Sequence, residues 1–147
     1  MNTLKVKTEK GHVPVPAIFI EGVDGLAITM SGFGLFEVTH TKSGYMIIGR
    51  YERFANALVE MLSLYLAMKE AGINFDVEVD EFKCQVKKAQ NQSQYLNDLT
   101  IISYLKVMKP IIGLSGEFPW ESCDEGPHAD IEKLMKKINE VNTMGAA

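Results

Sequence analysis

From residue 4 to residue 50 the apolar positions come in short runs rich in β-branched and aromatic residues and broken by glycine. The runs are AIFI at 17–20, LAITM at 26–30, LFEVTH at 35–40 and YMII at 45–48, with Gly22, Gly25, Gly32, Gly34 and Gly44 between them. Runs of this length bounded by turn residues predict three or four strands. The clearest pair is the hairpin 35-48, whose four-residue connection TKSG ends in a glycine suited to positive φ. With His40 opposite Tyr45, strict alternation places Phe36, Val38, His40, Tyr45 and Ile47 on one face, and Glu37, Thr39, Met46 and Ile48 on the other.

At residue 52 the period changes. ERFANALVEMLSLYLAMKEA, residues 52-71, has no internal Gly or Pro, and Gly72 follows where helices commonly end in a left-handed residue. Phe54, Leu58, Met61, Tyr65 and Met68 form one stripe, which Ala55, Val59, Leu62 and Leu66 widen well past the usual ~100°. A helix apolar over most of its circumference needs cover on two sides. The sheet supplies one, and another helix of the chain or a second copy supplies the other. The expected assembly is a homodimer through helix 52-71.

Residues 74–80, NFDVEVD, alternate at period two, but Asp80 also suits a helix start, and a helix from there is the favoured reading. Phe82, Val86 and Ala89 give it a thin apolar stripe until the polar run QNQSQ at 90–94. Leu96, Leu99, Ile102, Leu105 and Met108 then resume a helical period that Pro110 stops, so the segment 80-109 is either one bent helix or two. A loop over 110-127, with a short strand at 111–114, precedes a last helix opened by Pro127. Asp130 and Glu132 come early in that helix and Lys133, Lys136 and Lys137 later, in accord with its dipole. The expected fold class is α+β in a single globular domain: an antiparallel sheet within 4-50, packed by helices within 52-142.

Composition narrows the function. A chain of 147 residues, 46% hydrophobic, can bury a full core without disulfide or metal. A net charge of -4 and a pI near 5.4 argue against a protein held to nucleic acid by phosphate neutralisation. No window is apolar enough for a membrane span and the first residues are too polar for a leader, so a cytoplasmic location without membrane contact is expected. Cys84 and Cys123 form no CxxC pair, which leaves neither a disulfide framework nor a four-ligand zinc site.

No phosphate-binding or nucleophile-elbow motif is present, and the glycines of Ser31-Gly32-Phe33-Gly34 lead into a strand and read as a turn. His40 ends its strand without a local carboxylate to orient it, so no catalytic residue is assigned. Cys123, Asp124, Glu125 and His128 are all potential ligands, but their spacing is outside the recurring zinc pairs, and neither metal nor cofactor is expected. The feature that stands out is the loop 117-125. Phe118 and Trp120 are costly to leave in water, and Glu117, Glu121, Asp124 and Glu125 surround them. The residues from Leu114 onward hold seven acids against three lysines, the whole net charge of the chain. The leading expectation is therefore a non-enzymatic protein-interaction or regulatory module docking through Phe118, Trp120, Glu121, Asp124 and Glu125. Its composition matches that of small acidic inhibitors and accessory proteins of phages and mobile elements. The alternative is a small-molecule binding protein or enzyme with a pocket between sheet and helices, lined by His40, Tyr45 and Tyr65 with Phe36 and Trp120. A third reading sets Lys83, Lys87 and Lys88 on phosphates, though three lysines in an acidic protein more simply form a solvated helix face.

Overall fold

A computed structural model describes residues 2–32, 34–108 and 127–145. The first third of the chain forms one antiparallel meander: β1 (Thr3–Thr8), β2 (Gly11–Ile18), β3 (Leu26–Gly32), β4 (Leu35–His40) and β5 (Met46–Tyr51), paired in chain order. That is five strands rather than three or four. The addition is β1 together with most of β2, whose sequences TLKVKT and GHVPVPAI contain no apolar run, and β2 carries two prolines. Those prolines are accommodated by parity. The Ala17 amide donates to the Asn2 carbonyl at 3.0 Å, so alternate residues of β2 direct their N–H groups toward β1. Pro14 and Pro16 have the opposite parity, and β2 meets β3 only at Ala17 and Ile18, so neither proline removes a ladder bond.

The β4–β5 hairpin begins in the expected register: the His40 amide donates to the Tyr45 carbonyl at 2.9 Å, and Gly44 has φ +75°. A bulge then changes the faces. Thr39 pairs with Met46 but Val38 with Ile48, so Ile47 is an extra residue and Ile48 turns to the face of Val38, where both are buried. Strict alternation had placed Ile48 on the opposite face. The outer edge of β1 curls back to this hairpin's turn. The Lys7 amide donates to the Gly44 carbonyl at 2.9 Å, and His12 Nε2 donates to the Ser43 carbonyl at 3.1 Å.

Four helices follow: α1 (Phe54–Glu70), α2 (Val79–Lys88), α3 (Ile101–Met108) and α4 (Pro127–Gly145). Residues 74–78 are not a strand, and the described residues 79–108 hold two helices with a 3-10 turn (Gln94–Leu96) between them. The Ser93 side chain caps that turn by accepting from the Tyr95 amide, and Asn97 and Asp98 adopt the left-handed conformation that Asn and Asp tolerate best among residues with a side chain. α1 is buried along its length from Ala57 to Met68. One side lies on Leu26, Ile28, Val38 and Ile48 of the sheet, and α4 covers the other through the fully buried Ile138. The Tyr65 hydroxyl donates to Asn142 Oδ1 at 3.4 Å, and Asn142 Nδ2 donates to the Gly22 carbonyl at 2.8 Å, fastening α4 to α1 and to the turn before β3. The second apolar flank of α1 is thus met within the chain and supplies no argument for a second copy. Among the described residues, no helix is long and apolar enough to cross a membrane.

Candidate functional site

His40, the last residue of β4, is completely buried. Its Nε2 lies 2.7 Å from the Phe75 carbonyl oxygen and its Nδ1 2.7 Å from Ser43 Oγ. A carbonyl can only accept, so Nε2 carries the proton and Nδ1 accepts from the Ser43 hydroxyl. Ser43 Oγ in turn accepts from the Tyr45 amide at 3.2 Å. The imidazole stacks on Phe82, with ring centroids 4.0 Å apart and planes 10° from parallel. Burial holds its pKa below the ordinary 6.5, against smaller upward pulls from the Phe75 carbonyl and the Glu78 charge, so the ring is neutral. A Ser–His contact of this length resembles the start of a nucleophilic site, but a peptide carbonyl stands in the third place and Ser43 is only 8% exposed. The hydroxyl is engaged both as donor and as acceptor. What the arrangement does is clamp the β4–β5 turn to the connection between α1 and α2.

Beside this clamp, between the turn and the pair α2–α3, lies a cleft of about 210 Å³. His40 and Tyr45 line it together with Ile47, Phe82, Val86 and Leu105, while Lys83 and Lys87 are the charged residues in its lining. The sequence of α2 explains this two-sidedness. Asp80 and Glu81 in its first turn and Lys87 and Lys88 in its last complement the helix dipole, while Phe82 and Val86, four residues apart, are its buried residues. The Lys83 ammonium sits 5.1 Å from the centre of the Tyr45 ring, a cation–π contact at the mouth of the cleft.

The site therefore joins residues that the sequence had assigned to separate readings. His40 and Tyr45 of the pocket alternative share the cleft with Lys83 and Lys87 of the basic helix face, whereas Lys88 is exposed and does not line it. Tyr65 does not belong to it. Its ring stacks at 5.7 Å on Phe75, and it lines a separate, more polar cleft of about 520 Å³ with Asp24, Lys42, Lys69 and Asp76. Phe36 packs edge-on against Phe54 at 5.7 Å, also away from the cleft. Phe118, Trp120, Glu121, Asp124 and Glu125 lie outside the described residues. So does Cys123, and of its group of potential ligands only His128 is described, exposed in the first turn of α4. Among the described residues, no group of three or more His, Cys, Asp or Glu side chains is placed to hold a metal ion.

No family model, curated protein or solved structure matches the chain. Its chemistry must be read from its own residues.

One further polar cluster lies in the packing rather than in either cleft. The Tyr104 hydroxyl of α3 donates to both carboxyl oxygens of Glu60 on α1, at 2.6 and 2.7 Å. The buried Tyr51 hydroxyl of β5 faces the same carboxyl outside hydrogen-bond geometry. Burial raises the Glu60 pKa above its ordinary value, with the tyrosine hydroxyls opposing the shift, and pushes both phenols above the usual tyrosine range. Glu60 is a tie between α1 and α3 that resists ionisation. Nothing in the sequence marked it, since it reads as one of the few polar residues on a helix needing a solvated edge.

Proposed function

We propose that the chain is a non-enzymatic recognition module that acts by binding a partner in the cleft between the β4–β5 turn and α2–α3. The observation that carries this reading is an apolar cleft with two lysines at its rim, set beside a Ser–His pair whose hydrogen bonds are spent on holding the turn. Burying one large apolar side chain there contributes about 1.5–3 kcal/mol, and the lysines favour an occupant with negative charge. Phosphate contact through Lys83, Lys87 and Lys88 is the weaker reading, because a nucleic-acid backbone would leave the apolar interior unfilled. Docking through the aromatic acidic loop 117-125 rests on sequence alone.

The test is a titration of the native protein with anilinonaphthalene sulfonate, an aromatic anion that fluoresces in apolar surroundings. Saturable binding at one site is expected, weakened about tenfold or more by Lys83→Glu with Lys87→Glu, which places two like charges at the rim. A wild-type protein that is folded by circular dichroism and binds no dye, or a double variant that binds equally well, refutes the reading.

A further inference from the structure

We infer that the occupant of this cleft is a segment of another protein presenting one large apolar side chain flanked by acidic residues. The inference rests on the cleft being the binding site and goes on to name what fills it.

Size argues first. A volume of about 210 Å³ falls below the ~300–1,000 Å³ typical of drug-sized ligand and cofactor pockets, and suits a single side chain. The apolar surface also does not stop at the interior. Ile47, Val79 and Ile102 of the lining are each partly exposed, so apolar surface continues out to the rim. A ligand small enough to sit wholly inside leaves that surface in water, whereas a chain entering and leaving the cleft covers it.

Charge argues second. Lys83 and Lys87 are the charged members of the lining and stand one helical turn apart, which sets their Cβ atoms about 5–6 Å from each other. A single-headed anion such as a fatty acid can engage both only by drawing the two ammonium groups to one point, against their mutual repulsion. Two carboxylates on either side of an apolar anchor answer both, and the chain's overall charge of -4 does not diminish this local patch. The Tyr45 ring beneath the Lys83 ammonium restrains that side chain before any partner arrives, lowering the entropic cost of pairing with it.

The experiment displaces the bound dye with two synthetic peptides, each with a central Trp, one flanked by Glu and the other by Lys, and with decanoate as a third competitor. The Glu-flanked peptide is expected to displace the dye, to weaken as salt rises, and to lose about tenfold or more in affinity against Lys83→Gln with Lys87→Gln. The Lys-flanked peptide is expected not to compete. Equal competition by both peptides, no competition by either, or tighter competition by decanoate overturns the inference while leaving the cleft a binding site. Self-association of the wild type that the lysine substitutions abolish also overturns it, in favour of a second copy. Failure of the dye to bind at all refutes the cleft reading itself, so the two failures are distinguishable. Both lysines are exposed, so the variants are expected to fold, and circular dichroism verifies it.

Discussion

Replacing Ser43 by Ala separates a structural use of the Ser43–His40 pair from a chemical one. The hydroxyl donates to His40 Nδ1 at 2.7 Å and accepts from the Tyr45 amide at 3.2 Å, and both groups lose their partner in the variant. His40 is completely buried, so water cannot take the place of the lost donor without opening the turn. A buried acceptor left unsatisfied costs about 1–3 kcal/mol, and the amide, nearer the surface, adds a smaller amount. We expect a destabilisation of about 2 kcal/mol, which for a chain of this size lowers Tm by roughly 4–8 °C. Urea unfolding followed by circular dichroism measures it, with the midpoint reduced and the m-value unchanged. The variant also carries a pH signature. Because the folded His40 has a pKa below 6.5, its contribution to stability is full above 6.5 and is lost as pH falls from there toward the folded value. Without the Ser43 proton on Nδ1 the neutral ring is less favoured, the folded pKa moves back toward 6.5, and the acid-side loss becomes shallower. A Ser43→Ala protein within about 0.5 kcal/mol of the wild type, with an unchanged pH profile, refutes the clamp.

Three other substitutions probe the features around it. Gly44→Ala forces a side chain into the left-handed conformation and presses its Cβ on the Lys5 carbonyl and on Val6 Cα at 3.2 Å, so a loss above about 2 kcal/mol is expected in urea unfolding. A loss under about 1 kcal/mol would show that β1 does not hold the turn. Glu60→Gln changes the response to rising pH: with its folded pKa raised, Glu60 contributes fully below the ordinary 4.5, and that contribution is lost as pH rises toward the folded value. The variant is expected to lose that component of the pH dependence, and urea midpoints with the same pH dependence in both proteins would show that Glu60 contributes none. Ile138→Ala empties a fully buried position between α4 and α1, for about 2–5 kcal/mol by thermal and urea unfolding. A cost below about 1 kcal/mol would mean that α4 does not cover the outer flank of α1.

The helices were legible because their signals are local. Residues 52-71 lack Gly and Pro and end at Gly72, and α1 runs Phe54–Glu70; Pro127 opens α4 as a first-turn proline should; α2 starts at Val79, one residue before Asp80. The polar run 90–94 announced a break whose form depends on Ser93, Asn97 and Asp98 adopting conformations that no periodicity encodes. The first hairpin was hidden because Pro14 and Pro16 are tolerable only on one parity of β2, and parity is set by a partner strand that the local sequence does not name. Ile48 was misplaced because alternation cannot count a bulged residue, and its apolar side chain suits either face. In the site, Tyr45 was placed beside His40 by a four-residue turn. Phe82, Lys83, Val86 and Lys87 arrive there because the Phe75 carbonyl bonds to His40 and brings α2 across, a contact spanning 35 positions. Tyr65 shares a helical stripe with core residues, yet its hydroxyl is directed to Asn142 of α4 rather than to His40.

The dependence of α1 on α4 has a consequence for how the protein is made. The sheet and α1 are contiguous in sequence and emerge from the ribosome together, but α4 is complete only about 75 residues after α1 ends. At ~5–20 residues per second that interval lasts about 4–15 s, during which the flank of α1 that Ile138 will cover is open to any apolar surface nearby. Nascent chains on one message carry the same open flank close together. Until α4 folds back onto its own chain, that flank is a hazard of synthesis.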